Sequence, residues 1–412
     1  MTQSRLSVPT AWLQNSDPKR LTFPAHGSSV VTCLLFSHGR IISASDDHSI
    51  HVNSPITGEL VHSLDGHQGG VWSLAATKNT LVSGSTDRTV RVWDLGTGRC
   101  THVFGGHTST VRCVAIVRPE WIDITNDEGV AVREKWPKRS VIVTGSRDHS
   151  LRVWALPEPG SEEYGRYSAG DADADAAEVN DLDGNPYHKL HLVGHEGAVR
   201  DLAARGRTVV SGSFDCSIRV WDIITGETKF VLTGHTKKVY SVVYDPSRNQ
   251  AYSGSMDSTV RMWNLNNGQC MHILSGHESL VGILGLSPSH LVSASADSTL
   301  RIWDSDTGEL RQTLAAHSGA ITCFQHDDFK LLSGSDGSLK MWDVRDGSFI
   351  RDLLTGVTGV WQVVFEGRWC VAASNRLGST VIDVWDFGHG EPDATEGIQD
   401  DDKETEDEDG DY

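Results

Sequence analysis

The chain has 412 residues, with 36 Lys+Arg against 55 Asp+Glu and a formal net charge of −19. Residues 388–412 hold twelve carboxylates and Lys403, and residues 157–187 hold nine carboxylates and Arg166, so these stretches carry −11 and −8 and the remainder is formally neutral. No broad basic surface is left for a nucleic-acid backbone, no apolar run approaches the ~20 residues that span a bilayer, and seven Cys without a Cys-x-x-Cys suit a reducing compartment. The expectation is a soluble intracellular protein, in the nucleus and/or cytoplasm, with neither nucleic acid nor membrane as a partner.

In chain order, the first 25 residues have no apolar stretch like a secretory signal, because Trp12, Asn15, Asp17 and Arg20 are interspersed. Residues 1–19 read as an N-terminal extension. A His then recurs at 26, 67, 107, 195, 235, 277 and 317. About twenty residues after most of these comes a Ser/Thr-rich run ending in Asp: Asp47, Asp87, Asp148, Asp215, Asp257, Asp297 and Asp336. Trp follows six residues after Asp from the second unit onward, at 93, 154, 221, 263, 303 and 342, whereas the first unit reads Val52-Asn53 there. An eighth unit lacks Gly-His but keeps Val360-Trp361, a strand-like Cys370–Ala373 and Trp385-Asp386. Each unit alternates apolar and polar residues in short β-branched runs, as in Thr89-Val90-Arg91-Val92-Trp93, between Gly, Asn and Asp turns.

This pattern resembles the WD40 repeat, whose ~40–45 residues form one four-stranded blade. The resemblance covers roughly residues 20–387 and implies an all-β, eight-bladed propeller. Arg20–Pro24 can supply the outer strand that the last unit lacks and so close the ring. The third unit carries two insertions, about Arg118–Arg139 between its first two strands and about Pro157–His188 between its last two. Asp171, Asp173 and Asp175 mark the second as a disordered acidic loop. Both that loop and the disordered acidic tail, 388–412, are expected on the face opposite Gly-His.

His, Ser and Asp recur in every unit, so they read as blade-pinning groups rather than as a hydrolase triad, which is needed only once. Cys33, Cys113 and Cys323, with Cys100 and Cys270, fall at recurrent strand positions and read as small buried hydrophobes. The chain is expected to be no enzyme and to need no cofactor and no metal. The informative positions are those where the units differ. Two per blade point toward the channel mouth on the Gly-His face. The first reads Val31, Trp72, Arg112, Arg200, Tyr240, Gly282, Thr322 and Trp361 around the ring. The second, just before each turn Asp, reads Asp46, Thr86, Arg147, Phe214, Met256, Ala296 and Ser335. Arg112, Arg147 and Arg200 therefore crowd into two adjacent blades, flanked by Trp72, Phe214 and Tyr240, with Arg88 beside them. Arg219, Arg261 and Arg301, two residues before Trp, read as solvated strand positions. Repelling cations at one mouth point to an anionic ligand, and guanidinium forks suit phosphate.

The stretches Ser83–Trp93, Gly106–Cys113 and Ser146–Asp148 resemble the F-box/WD-repeat substrate receptors of SCF-type ubiquitin ligases, more narrowly the eight-bladed members that bind phosphorylated Ser/Thr-Pro degrons. The resemblance implies that Arg112, Arg147 and Arg200 hold the central phosphate. It gives Ser109 and Thr110 supporting roles and places Tyr240 near the phosphate. It implies an apolar pocket from Trp72, Thr86, Thr110 and Trp361, and a further basic contact from Arg88. Phe214 stands where some members have Tyr. Such members carry an F-box of some fifty residues ahead of the propeller, and no F-box fits the 25 residues before His26. SCF components are thus expected as partners only if an F-box region is supplied. A general interaction scaffold for a non-phosphorylated ligand, in co-repression or complex assembly, is the competing reading.

Overall fold

The structure, a computed structural model, describes Trp12 and residues 17–125, 131–165 and 184–388. Eight antiparallel four-stranded sheets follow one another around a ring. The alternating runs set this architecture: in Val90–Asp94 the two Val and Trp93 are buried while Arg91 and Asp94 are half-buried, so one face of each sheet must be covered by a neighbour. Blade two accordingly packs Val71, Leu81 and Trp93 against Ile42, Ala44, Ile50 and Val52 of blade one. The cores therefore lie between blades, and a blade is stable only when both neighbours are present.

The expected closure is present. Lys19–Pro24 pairs antiparallel with Ser379–Asp386 of blade eight, with Leu21 opposite Val384. Asp383 is fully buried at this seam and accepts from Arg20 Nε (3.0 Å) and Nη2 (2.8 Å), from Thr22 Oγ1 (2.6 Å) and from Arg376. A carboxylate taken out of water is thus fully met by two guanidiniums and a hydroxyl.

Blades two to six each carry the inferred pinning network. In blade two, His67 Nδ1 lies 2.7 Å from Asp87 and its Nε2 2.7 Å from Ser83 Oγ, to which Trp93 Nε1 donates at 2.8 Å. Thr144 replaces Ser in blade three with the same geometry. Blade one lacks the Trp, and His51 stacks on His26 at 4.0 Å instead. Asp336 does not play the part the spacing suggests. Blade seven is one residue short, with Trp342 nine residues after Ser333 instead of ten as in blades two to six. Its turn closes as Asp336-Gly337 between paired Ser335 and Ser338, which moves Asp336 to the place Thr86 has in blade two.

These networks make stability acid-sensitive. Burial keeps His26 and His317 neutral, each at about 4. Burial opposes the charge on Asp257 and Asp297, but the Thr259 and Thr299 hydroxyls, the Thr236 and Glu278 N–H groups and the His side chains outweigh it and hold both at about 2. Every one of these pKa values is depressed on folding, so the unfolded chain binds more protons and stability falls as pH falls. The melting temperature is expected to be level between about pH 7 and 8, to drop below about 6.5 as His protonates in the unfolded chain, and to drop more steeply below about 4. A melting temperature that rises on acidification, read by circular dichroism, would contradict this.

The insertions of blade three are more ordered than their composition suggests. The first forms a hairpin, Glu120–Thr125 with Ala131–Trp136, held to blade four by Arg205 Nε on Glu120 Oε2 at 3.0 Å. The ends of the second are not a disordered loop. Tyr164 pairs with the outer strand of blade two, its N–H donating to Thr101 O (3.1 Å) and its carbonyl accepting from Val103 N (2.9 Å). Tyr164 and Tyr187 pack edge to face (5.7 Å) beside the buried Phe104 and His102. Aromatic burial at both ends outweighs the entropy of ordering those residues. Residues 166–183 and the tail 389–412, where most of the surplus negative charge is carried, lie outside the described residues. From the N-terminal extension, Trp12 is fully buried against blade eight, stacked on Phe387 at 3.8 Å with its Nε1–H donating to Gly367 O at 3.1 Å.

Candidate functional site at the channel mouth

Every inner strand carries a β-bulge one residue in. In blade two Val71 pairs with Ser85 and Ser73 with Gly84, leaving Trp72 between them. The same interruption leaves Arg112, Arg200, Tyr240, Gly282, Thr322 and Trp361 in blades three to eight. A bulge re-aims one side chain without disturbing the packed positions on either side, which is how these residues reach the channel. In blade one the bulged residue is Thr32, between Val31 and Cys33. Val31, the expected residue, is instead buried at 1 % exposure, because the inward-pointing side chain lies one residue further on.

A second ring sits in the turns between second and third strands. Thr86, Arg147 and Phe214 donate their N–H groups at 2.9 Å to Gly70, Thr110 and Ala198, which ties each turn to the loop preceding a bulge. The carbonyls of Thr110 and Ser109 are thus occupied, the latter by Ser146 Oγ at 3.0 Å. Their hydroxyls have no partner among the described residues.

Around one cavity of about 400 Å³ the structure brings together Trp72, Arg112, Arg200, Tyr240 and Trp361. Arg147, Phe214, Thr86, Ser109 and Thr110 stand on the adjoining rim rather than in its lining. Arg88 is exposed on the blade-two turn and is also outside the lining. Arg112 lies over Trp72 at 4.1 Å and Arg200 over Tyr240 at 5.9 Å, while Phe214 meets Tyr240 at 5.2 Å. Burial first, then the neighbouring Arg200 and more weakly Arg147, pull Arg112 down to about 10, so its guanidinium still carries its charge at neutral pH. Among the described residues no carboxylate lies within 4.0 Å of Arg88, Arg112, Arg147 or Arg200. Asp201 adjoins Arg200, yet its oxygens accept from Leu202 N (2.9 Å), Ser241 Oγ (3.0 Å) and Val242 N (2.9 Å). Burial raises its pKa despite Arg200 nearby.

Sequence reasoning passed over Lys238, whose Nζ lies 4.7 Å over the Phe214 ring and extends the positive rim into blade five. Its position directly before Val239-Tyr240 was the available signal. Arg219, Arg261 and Arg301 are not solvated positions: they are half-buried, cover the edges of Trp221 and Trp263 or donate to Gly276 O, and a Cβ on Gly194, Gly234 or Gly276 would collide with them. Arg152 of blade three is more deeply placed, at 3 % exposure. The residues before Trp are therefore spent on packing, and most of those at the bulges line the open cavity. What the mouth offers is a set of guanidiniums without carboxylate partners among the described residues, beside aromatic faces, a chemistry that suits a planar or tetrahedral anion with an apolar neighbour.

The repeat family described as WD domain, G-beta repeat matches residues 18–53, 58–94, 98–155, 184–222, 226–264, 268–304 and 308–343. The chain is 46% identical over 378 residues to Cell division control protein 4 of Candida albicans, covering 90% of this chain and 53% of that protein. It is 42% identical over 383 residues to WD repeat-containing protein pop2 of Schizosaccharomyces pombe, covering 92% and 53%. The chain thus spans about half the length of these relatives. Among solved structures, the computationally designed Ika8 protein is similar at a TM-score of 0.69 and 27% identity, over 88% of this chain and 98% of that one. With its eight sheets in a closed ring and seven matched repeats, the chain belongs to the WD40-repeat family.

Proposed function

We propose that the channel mouth binds a phosphorylated Ser/Thr-Pro segment of a protein substrate, and that the chain is the non-catalytic recognition part of an SCF-type ubiquitin ligase acting in protein degradation. The observation that carries this is the absence of any carboxylate partner, among the described residues, for Arg112, Arg147 and Arg200, two of which line one cavity with Trp72, Tyr240 and Trp361. Like charges held together without relief cost stability, and a dianion relieves them. The residue-by-residue resemblance to the phosphodegron receptors supports the reading, as does extensive identity to a protein named for cell division control. In this reading ligase attachment requires an F-box region supplied with the propeller, and an intracellular location follows from the substrates.

The test is a fluorescence titration of a Thr-Pro peptide with and without its phosphate. Charge-assisted hydrogen bonds are each worth about 1.5–3 kcal/mol net, so the phosphorylated form is expected to bind at least ~100-fold more tightly. The preference should shrink as salt is raised, because the arginines are partly open to solvent. Equal binding of the two peptides would instead favour the scaffold reading.

A further inference from the structure

Blade eight rises above its neighbours on the Gly-His face. In blade two the pairing of second and third strands ends at Gly84 and Val90, and a tight turn pinned by Asp87 follows. In blade eight the equivalent pair, Ala373 and Ile382, is followed by Ser374–Val381, Asn375–Thr380 and Arg376–Ser379. The first of these corresponds to Ser85 and Thr89 of blade two, where Ser85 N–H donates to Thr89 O at 3.3 Å, so the hairpin stands two residue pairs taller, about 7 Å. It is firmly rooted. Thr380 exchanges backbone hydrogen bonds with Ala25 (3.1 Å) and Gly27 (2.7 Å), Thr358 N donates to Asn375 O at 2.9 Å, and Arg376 is held on Asp383.

Its tip is Leu377-Gly378, both left-handed at φ 52° and 84°. A two-residue turn of this hand favours Asn or Asp in first place, and a bulky side chain there strains the backbone. Leu377 is nonetheless present, and its side chain is fully exposed at 101%. It touches nothing that could offset the strain, so its apolar surface does no work for the fold. The hairpin root also flanks the cavity: Ser374 and Ala373 pair with Val360 and Gln362, the residues on either side of the bulged Trp361. Leu377 thus crowns a rigid wall beside the apolar side of the mouth.

We propose that Leu377 is a specificity residue, packing on an apolar side chain of the bound peptide that lies farther from the phosphate than the residues over Trp72 and Trp361. This rests on the phosphopeptide reading of the mouth, and it adds a hydrophobic requirement that the arginines cannot supply. The experiment compares phosphopeptides in which a single Leu or Ser is scanned through successive positions before the phosphorylated residue, against wild type and Leu377→Asn. Wild type is expected to prefer Leu at one position by about five- to tenfold, the scale of burying one side chain. In Leu377→Asn that preference disappears while affinity for the Ser peptide is unchanged, and the melting temperature rises because Asn suits the turn. A preference that survives in Leu377→Asn, or no preference in wild type at any position, overturns the proposal. If wild type ignores the phosphate but its Leu preference still vanishes in the variant, Leu377 keeps its role and the phosphate reading fails alone.

Discussion

Replacing Arg112 by Ala is expected to lower affinity for a phosphorylated peptide by ~100-fold or more while leaving the propeller as stable as before. The two halves of that expectation come from one geometry. Arg112 is flanked by Arg200 and Arg147, and burial and those neighbours already disfavour its charge. Its removal from the free protein relieves repulsion, which offsets the packing lost over Trp72 to within about 1 kcal/mol. In the proposed complex the same guanidinium would supply two parallel bonds to one dianion, and nothing would replace them. Arg147→Ala and Arg200→Ala should act in the same direction, and Arg112→Lys should recover only part of the affinity because an ammonium lacks the planar fork. Arg219→Ala is the control with opposite behaviour. That residue covers Trp221 and lies against Gly194, so its loss should lower the melting temperature and leave peptide binding untouched. Isothermal titration beside thermal melts reads both quantities. An Arg112→Ala protein that binds like wild type would remove the basis of the proposed function.

Trp12→Ala is expected to cost about 3–5 kcal/mol of stability, the range for truncating a fully buried aromatic. Trp12 belongs to the same buried cluster as Leu332, Met341, Val360, Cys370 and Phe387, where blades seven and eight meet. Lys330 lies 4.7 Å over its ring and closes the pocket from one side. Truncation leaves a cavity that rigid strands cannot collapse into, and it removes the hydrogen bond to the Gly367 carbonyl. Trp12→Phe should keep the stacking and lose only the hydrogen bond, about 1 kcal/mol. Urea unfolding of the three proteins gives the comparison. A Trp12→Ala protein within 0.5 kcal/mol of wild type would show that the segment merely rests on the disc.

The repeat made the fold readable. Seven His, about 40 residues apart save for the 88 between His107 and His195, each followed by Asp and, after the first unit, by Trp, specify a blade, because blades two to six join these groups in one hydrogen-bond network. The same spacing misled wherever one residue was gained or lost. Asp336 looks like a turn Asp because the deletion after it leaves it six residues before Trp342, the distance that Asp87 has to Trp93. Val31 reads as the inward-pointing residue because it follows Val30, and either Val can stand for the apolar position of the strand; Val31 is the buried one. Trp12, Tyr164 and Tyr187 belong to segments that do not repeat, so no neighbouring unit signalled that they were buried. At the mouth, the arginines were legible from the differences among repeats, and Lys238 was not, because it precedes the position being compared. Leu377 was equally silent, since its significance lies in a backbone angle and a hairpin length.

The eight bulges have a consequence for how such a surface changes over time. Each places one residue at the opening while the packed residues on either side, Val111 and Cys113 around Arg112 for example, hold the strand in register. Exchanging the residue at a bulge therefore rewrites one element of the ligand preference and leaves the inter-blade contacts as they were. A disc built this way can drift from one recognition motif to another through single substitutions, each intermediate folding as well as its parent, which a binding site assembled from core side chains could not do.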